Sequence, residues 1–372
     1  MKNKVTYYLI PLIFLSILTF LENSEKLVNV LKSKYFYSII ALFFIFFIGL
    51  RYKIGCDWDS YVTLIDKYLT FNIFEILKYN LTGYSHYEDS NTYFVIQELG
   101  HVFLSIISKN IYILNLIYAT IFVIPLFYFC WNLKRTYLSL LISYPYYMIV
   151  VGMGPIRQAA CISIVMISII FISRKKYFSH LIATAFSLFI HQYSIIFNGI
   201  LFSPVLINLS RKKISKKIIF FLIIIFSIIL YNLPSYLAKS YFYLTDFSGP
   251  TSKASIFIWF INFIPSIIYL KNNQNFPFNK NMKEIIKYLS IFEIVVLPLV
   301  FLKSVIAYRL LLYCFPASIL ITSYIPDSRI FKIKNNFLIN IIIISSFVTL
   351  IVWLKYAVHS SCWLPYKNIL IN

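Results

Sequence analysis

Long apolar runs recur from one end of this chain to the other, separated by short clusters of Lys, Arg and Asn. A helix needs about 20 residues, fewer with local thinning, to cross the roughly 30 Å hydrocarbon core of a bilayer. Runs of that length lie near 5–21, 36–50, 110–130, 137–152, 157–172, 177–191, 193–209, 217–232, 254–270, 285–302, 305–325 and 336–356. The pattern predicts an all-α, polytopic membrane bundle of about twelve transmembrane helices. Composition agrees: 60% of the 372 residues are hydrophobic, 13% are charged and the mean hydropathy is +0.78, too apolar for a globule that must cover itself with water-facing side chains. No internal repeat or Gly/Ser linker divides the chain, which reads as a single domain over 1–372.

The net charge of +21 resembles that of a nucleic-acid binder, but its distribution excludes that class. The basic residues fall in short clusters between apolar runs: KRTY (134–137), SRKKY (173–177), RKKISKK (211–217), KNNQNFPFNKNMKE (271–284) and SRIFKIKNN (328–336). All lie on one side if each of the twelve runs crosses, and the segment 22–35 joins them. An excess of Lys and Arg marks the cytoplasmic side. The opposite face then carries 51–91, the turns at 153–156, 192 and 303–304, the loop 233–253 and the tail after Tyr356, and is expected to be periplasmic. The stretch 91–108 would invert everything after it if it crossed, and is read as a re-entrant or tilted helix on that outer face. Lys2 and Lys4 precede an apolar stretch without an A-x-A-like cleavage site, so the start reads as a first span rather than a signal peptide, although their charge argues against an outside N-terminus. The five cysteines show no CxxC or paired spacing, and indicate neither a zinc site nor a disulfide framework.

Polar residues of interest gather on the outer face. GLRYKIGCDWDSY, Gly49 to Tyr61, ends the second span and places Arg51, Lys53, Asp57 and Asp59 within nine residues. An arginine deep in the hydrocarbon costs roughly 2.5–3.5 kcal/mol on insertion scales. Arg157, in GMGPIRQAACISIVM, and Arg309, in SVIAYRLLLYCF, therefore need a partner, a water-filled cavity, or an escape to the interface by snorkelling. Arg51, Arg157 and Arg309 facing one cavity would suit a diphosphate, whose oxygens match guanidinium forks. Asp57 and His191 are the candidate general bases for a sugar hydroxyl, with His191 slightly ahead because its unperturbed pKa near 6.5 lies close to the working range. Asp59 more simply pairs with Arg51 or Lys53 to order the loop, an alternative also open to Asp57. Glu98 is read as a positioning group, sharing one helical face with His101 three residues on, a spacing too weak to indicate a metal site. Glu293, amid SIFEIVVL, must be paired or protonated, and the sequence names no partner for it.

Taken together, FFIGLRYKIGCDWDSY with its R-x3-G-x-D-x3-Y pattern, QELGHVFL, the segment from GPIRQAAC to IHQYSIIF, YRLLLY and WLPYKN resemble the Wzy-type polysaccharide polymerases, in the branch of the EpsG-like proteins of exopolysaccharide synthesis. The likeness runs from near residue 44 to the C-terminus. It implies a GT-C-like membrane bundle in the bacterial inner membrane, and a glycosyltransferase that moves an undecaprenyl-diphosphate-linked glycan onto a second lipid-linked repeat unit at the periplasmic face, building O-antigen or a related surface polysaccharide. By position it carries over Arg51, Asp57, Arg157, His191 and Arg309 as the functional set, with Tyr61 closing the first motif as a positioning residue. His101 stands where many relatives place an aromatic. The resemblance also implies no cofactor or metal, and a chain-length regulator as partner. Two other readings remain at this stage. A lipid-linked glycan flippase would carry charges at several depths, whereas these arginines gather at one face. An O-antigen ligase carries a larger outer loop than 233–253.

Overall fold

A computed structural model describes residues 2–22, 27–70, 98–209, 253–302, 304–328 and 330–370, with short pieces at 85–86, 93–94 and within 222–233. The expected span at 217–232 therefore lies largely outside the described residues, as do the cluster 211–217, most of the loop 233–253 and most of 71–97. The described helices are α1 (Lys2–Leu21), α2 (Lys34–Gly49), α3 (Trp58–Thr70), α4 (Leu99–Ser108), α5 (Ile111–Trp131), α6 (Thr136–Ser143), α7 (Ile156–Ser173), α8 (Tyr177–Ile190), α9 (Ser194–Leu209), α10 (Lys253–Asn272), α11 (Lys280–Val296), α12 (Ser304–Leu311), α13 (Phe315–Tyr324) and α14 (Asn335–Tyr356). Among the described residues the regular structure is helical apart from an isolated bridge between Arg51 and Asn368 and one antiparallel ladder, in which Ser85–His86 pairs with Tyr93–Phe94.

Among the described residues four helical stretches are long and apolar enough to cross a membrane: Ile111–Trp131, Ile156–Ser173, Ala307–Asp327 and Asn335–Tyr356. Val5–Leu21, Lys34–Gly49, Thr136–Val151 and Tyr177–Ile190 are apolar but shorter. The bundle buries an apolar core and also exposes apolar residues on its outside, unlike a water-soluble protein. Ile10, Ile13, Ile17 and Phe20 form an exposed apolar stripe on α1, and Phe337, Ile341, Ile344, Val348 and Ile351 form another on α14. Apolar stripes of this extent are stable only against hydrocarbon.

α7 is the central helix, with 14 of its 18 residues buried and α5 and α8 packed along it. α2 runs antiparallel to α5: the Tyr37 hydroxyl at the start of α2 donates to the Phe127 carbonyl near the end of α5 (2.8 Å), while Gly49 at the end of α2 abuts Leu116 and Ala119. The α6 helix widens into a π turn over Tyr144–Val151, beginning where Pro145 supplies no backbone donor. The buried tyrosines beyond that point find acceptors elsewhere: Tyr144 donates to the Tyr8 carbonyl (2.7 Å) and Tyr147 to the Ala159 carbonyl (2.9 Å). Glu293 of α11 accepts from the Ser266 hydroxyl of α10, the partner the sequence did not name.

At one end the connections bring together the basic clusters that lie within the described residues. Arg135 forks onto Asp327 (2.8 and 3.0 Å), Lys134 joins the same carboxylate (3.0 Å), and Arg174 donates to Asn132. Asn279 reaches across to the Ser173 carbonyl (3.1 Å), and Glu22 caps α6 by accepting from the Thr136 amide (2.7 Å). Burial pushes the Glu22 carboxyl up to about 7 despite those backbone donors.

The other end is closed by the chain terminus. The lip after α2 pairs with the tail as a short strand would: the Tyr52 amide donates to the Lys367 carbonyl (3.0 Å), the Ile369 amide to Leu50 (2.9 Å) and the Gly55 amide to Cys362 (2.9 Å). Gly55 sits at φ +94°, and a Cβ there would lie 2.1 Å from the Met153 carbonyl oxygen, so only glycine lets the lip rest on the 153–154 turn. Cys56 and Cys362 form a disulfide across 306 residues of sequence. This corrects the reading that no disulfide is indicated: the two cysteines are too far apart in sequence for spacing to reveal them, and only the tail's return to the lip brings them together.

Candidate functional site at the lip end

α3 leaves the lip as an amphipathic helix that buries Trp58, Tyr61, Leu64, Ile65 and Tyr68. It packs with α4, which is ten residues and so about 15 Å long, too short to cross the core. Gly100 lets α4 approach α8 closely, since a Cβ there would sit 2.4 Å from the Phe189 carbonyl oxygen. That approach sets Glu98, at the N-terminus of α4, against Arg157 at the start of α7. Arg157 donates through Nη1 to Glu98 Oε2 at 2.7 Å, and Glu98 is 2% exposed. The Arg157 guanidinium also lies over the Tyr61 ring, 5.7 Å from its centroid. Burial raises the Tyr61 phenol, and the Arg157 charge partly offsets this. Behind the pair, His101 is fully buried between the Tyr61, Tyr68 and Tyr118 rings, with Nδ1 3.0 Å from the Tyr118 hydroxyl.

Arg309 arrives from α12 and is held by a bond the sequence did not announce. The Gln158 side-chain amide, next to Arg157 in the chain, donates to the Arg309 carbonyl at 2.6 Å. One residue pair on α7 thus ties both arginines to a common frame. Asp57 is exposed at the start of α3, and its charge is felt at Tyr61 and at Tyr308, the neighbour of Arg309. His191 caps α8 and is 5% exposed, with Nδ1 3.3 Å from the Tyr313 hydroxyl and its ring against Tyr193. The Tyr313 hydroxyl also meets the Cys161 thiol (3.6 Å), so His191 connects to α7 one helical turn further along than Arg157.

Arg51 departs from the sequence expectation. It is 2% exposed, with Nε donating to the Ile54 carbonyl (3.1 Å), Nη1 to Ile48 (2.8 Å) and Nη2 to the Asn115 side chain (2.9 Å). Burial draws its pKa down to about 10, which still leaves it charged at neutral pH. A guanidinium engaged in this way fastens the lip to α2 and α5. Sequence reading missed Gln158, Asn115, Tyr118, Tyr308 and Tyr313 because each is a polar or aromatic residue inside a run that otherwise reads as packing.

The fold and site define an α-helical integral membrane protein with a buried acid–arginine pair and a second tethered arginine at one end of the bundle. The family model described as the EpsG family matches residues 34–368, nearly the whole chain, and the protein belongs to that family, whose members are Wzy-type polymerases. No curated protein and no solved structure matches it.

Proposed function

We propose that the protein is a glycosyltransferase that polymerises undecaprenyl-diphosphate-linked oligosaccharide repeat units, with its site at the lip end facing the periplasm. Membership of the EpsG family supports a polymerase role in polysaccharide synthesis. The observation that carries the rest is that Gln158, next to Arg157 in the chain, holds the Arg309 backbone carbonyl, which brings two arginine positions from separate helices together within electrostatic reach of an exposed carboxylate, Asp57. Two features support the orientation. The basic connections meet at the opposite end, as expected of a cytoplasmic face. The Cys56–Cys362 disulfide at the lip end fits an oxidising compartment.

In this reading the acceptor hydroxyl gives its proton to a carboxylate as its oxygen forms the new glycosidic bond. The bond from the donor sugar to the diphosphate breaks, and the lipid diphosphate leaves with the electron pair. Arg157 and Arg309 stabilise the charge that develops on the leaving diphosphate, with Glu98 and Tyr61 orienting Arg157. Asp57 moves ahead of His191 as the base, because it lies at the open surface near Tyr308 while His191 is buried against Tyr313. His191 is then a positioning group for α12 and α13 through Tyr313. Arg51 anchors the lip that presents Asp57.

The test is what accumulates on deletion. Single repeat units on carrier lipid in the outer leaflet are expected. Repeat units trapped on the inner leaflet would mean a flippase, and full-length polymer retained on the carrier would mean a ligase.

A further inference from the structure

A groove of about 430 Å³ runs between α6, α10, α13 and α14, away from the arginines, within the range of specific ligand sites. Along α14 it is lined by Leu338, Ile342, Ser346 and Thr349, four positions on one helical face that span about 17 Å. Four of its hydroxyls are spent on backbone carbonyls of the bundle. Ser345 and Ser346 donate to the Ile342 carbonyl, Thr349 to Ser345, and Ser318 to the Asn262 carbonyl of α10. Those small side chains keep the wall hollow while presenting carbon. At the rim Ile264 and Ile341 are exposed, so the groove opens sideways to the bilayer.

Its two ends give direction. One lies at Ile325 and Leu338, beside the basic connections. The other lies at Tyr146 and Phe315, whose rings stack 5.5 Å apart, and Phe315 follows Arg309 by six residues, about 9 Å, in one helical run. A hydrocarbon chain that starts from a headgroup at Arg309 must therefore cross the midplane to fill the groove as far as Leu338. An ordinary acyl chain from that leaflet ends near half of the roughly 30 Å core. A long polyprenyl chain does not. We infer that this groove seats the polyprenyl chain of a lipid diphosphate whose headgroup lies at Arg309 and Arg157, an inference that rests on the lipid-linked donor proposed above.

The full-length protein in nanodiscs, given a polyprenyl diphosphate with a photoreactive tail, tests it. Label is expected on peptides from α13 and α14, competed by unlabelled polyprenyl diphosphate. Ser346→Trp, which fills the groove, should cut the label about tenfold, and Ser346→Ala should retain it. Equal labelling of the same peptides by a photoreactive phosphatidylethanolamine would overturn the inference in favour of a membrane lipid entering from the basic end, and so would label that survives Ser346→Trp. Labelling needs no turnover, so the two readings separate. Polymer formed by the wild type without groove label overturns the groove alone, whereas groove label without polymer overturns the transferase and leaves the groove standing.

Discussion

The two ends of the bundle are built from the same residue types by opposite means. At the basic end, charges meet on connections: Lys134 is 59% exposed while paired to Asp327, and Glu22 caps a helix with a carboxylate that burial has raised. At the lip end Arg51 and Glu98 are withdrawn from water, each 2% exposed, while Asp57 stays at the surface, and a disulfide and a backbone ladder join the lip to the C-terminal tail. In the proposed orientation the basic end needs only to stay in the cytoplasm, which loosely held lysines achieve. On the same proposal the lip end needs fixed geometry, because a cation helps a developing anion only when it is already in place.

If that contrast is right, disturbing the lip should cost far more than disturbing the basic end. Arg157→Ala removes a transition-state cation and strands the buried Glu98 carboxylate, so polymer yield should fall about 10²- to 10³-fold. Arg157→Lys should recover little of it, since the planar fork is lost. Next comes Cys56→Ser, expected to lower stability by about 2–4 kcal/mol in a thermal-shift series, with no further loss on adding reductant.

Glu22 gives a pH effect at the other end. Its folded pKa is raised to about 7 from 4.5, so its contribution is fully present below about pH 4.5 and is lost as pH rises through about 7. Glu22→Gln should remove that slope, leaving the variant more stable than wild type at pH 8 by about 2–3 kcal/mol at most and nearly equal at pH 5. Gln158→Ala should reduce polymer formation about tenfold and lower the melting temperature modestly, because it removes a buried side chain and leaves the Arg309 carbonyl without its donor. Smallest should be Lys134→Ala, below about 1 kcal/mol for an exposed pair and without effect on polymer.

The helical membrane class was legible because hydrocarbon forces every spanning segment to be long and apolar, and the convergence of basic clusters followed from their position between those runs. Arg157 and Arg309 stood out because charge in an apolar run needs a partner, which the structure supplies to Arg157 as Glu98, whereas Tyr61 stood out only through the family motif. What sequence could not give was pairing over distance. Cys56 finds Cys362, and Arg51 finds Asn115, only because the tail returns to the lip and α2 lies against α5. The same limit explains Arg51. A guanidinium that satisfies local carbonyls and one that awaits a phosphate are written with the same letter.

The central claim is that the tethered arginines at the lip are where the glycan changes carriers. The most direct measurement is polymer length made by purified wild type, Arg157→Ala, Arg309→Ala and Lys134→Ala proteins in nanodiscs, supplied only with a polyprenyl-diphosphate-linked repeat unit. The account predicts a ladder of polymer and released polyprenyl diphosphate from wild type and Lys134→Ala, and neither from the two arginine variants although they remain folded. Ladders of wild-type length from Arg157→Ala and Arg309→Ala would contradict it.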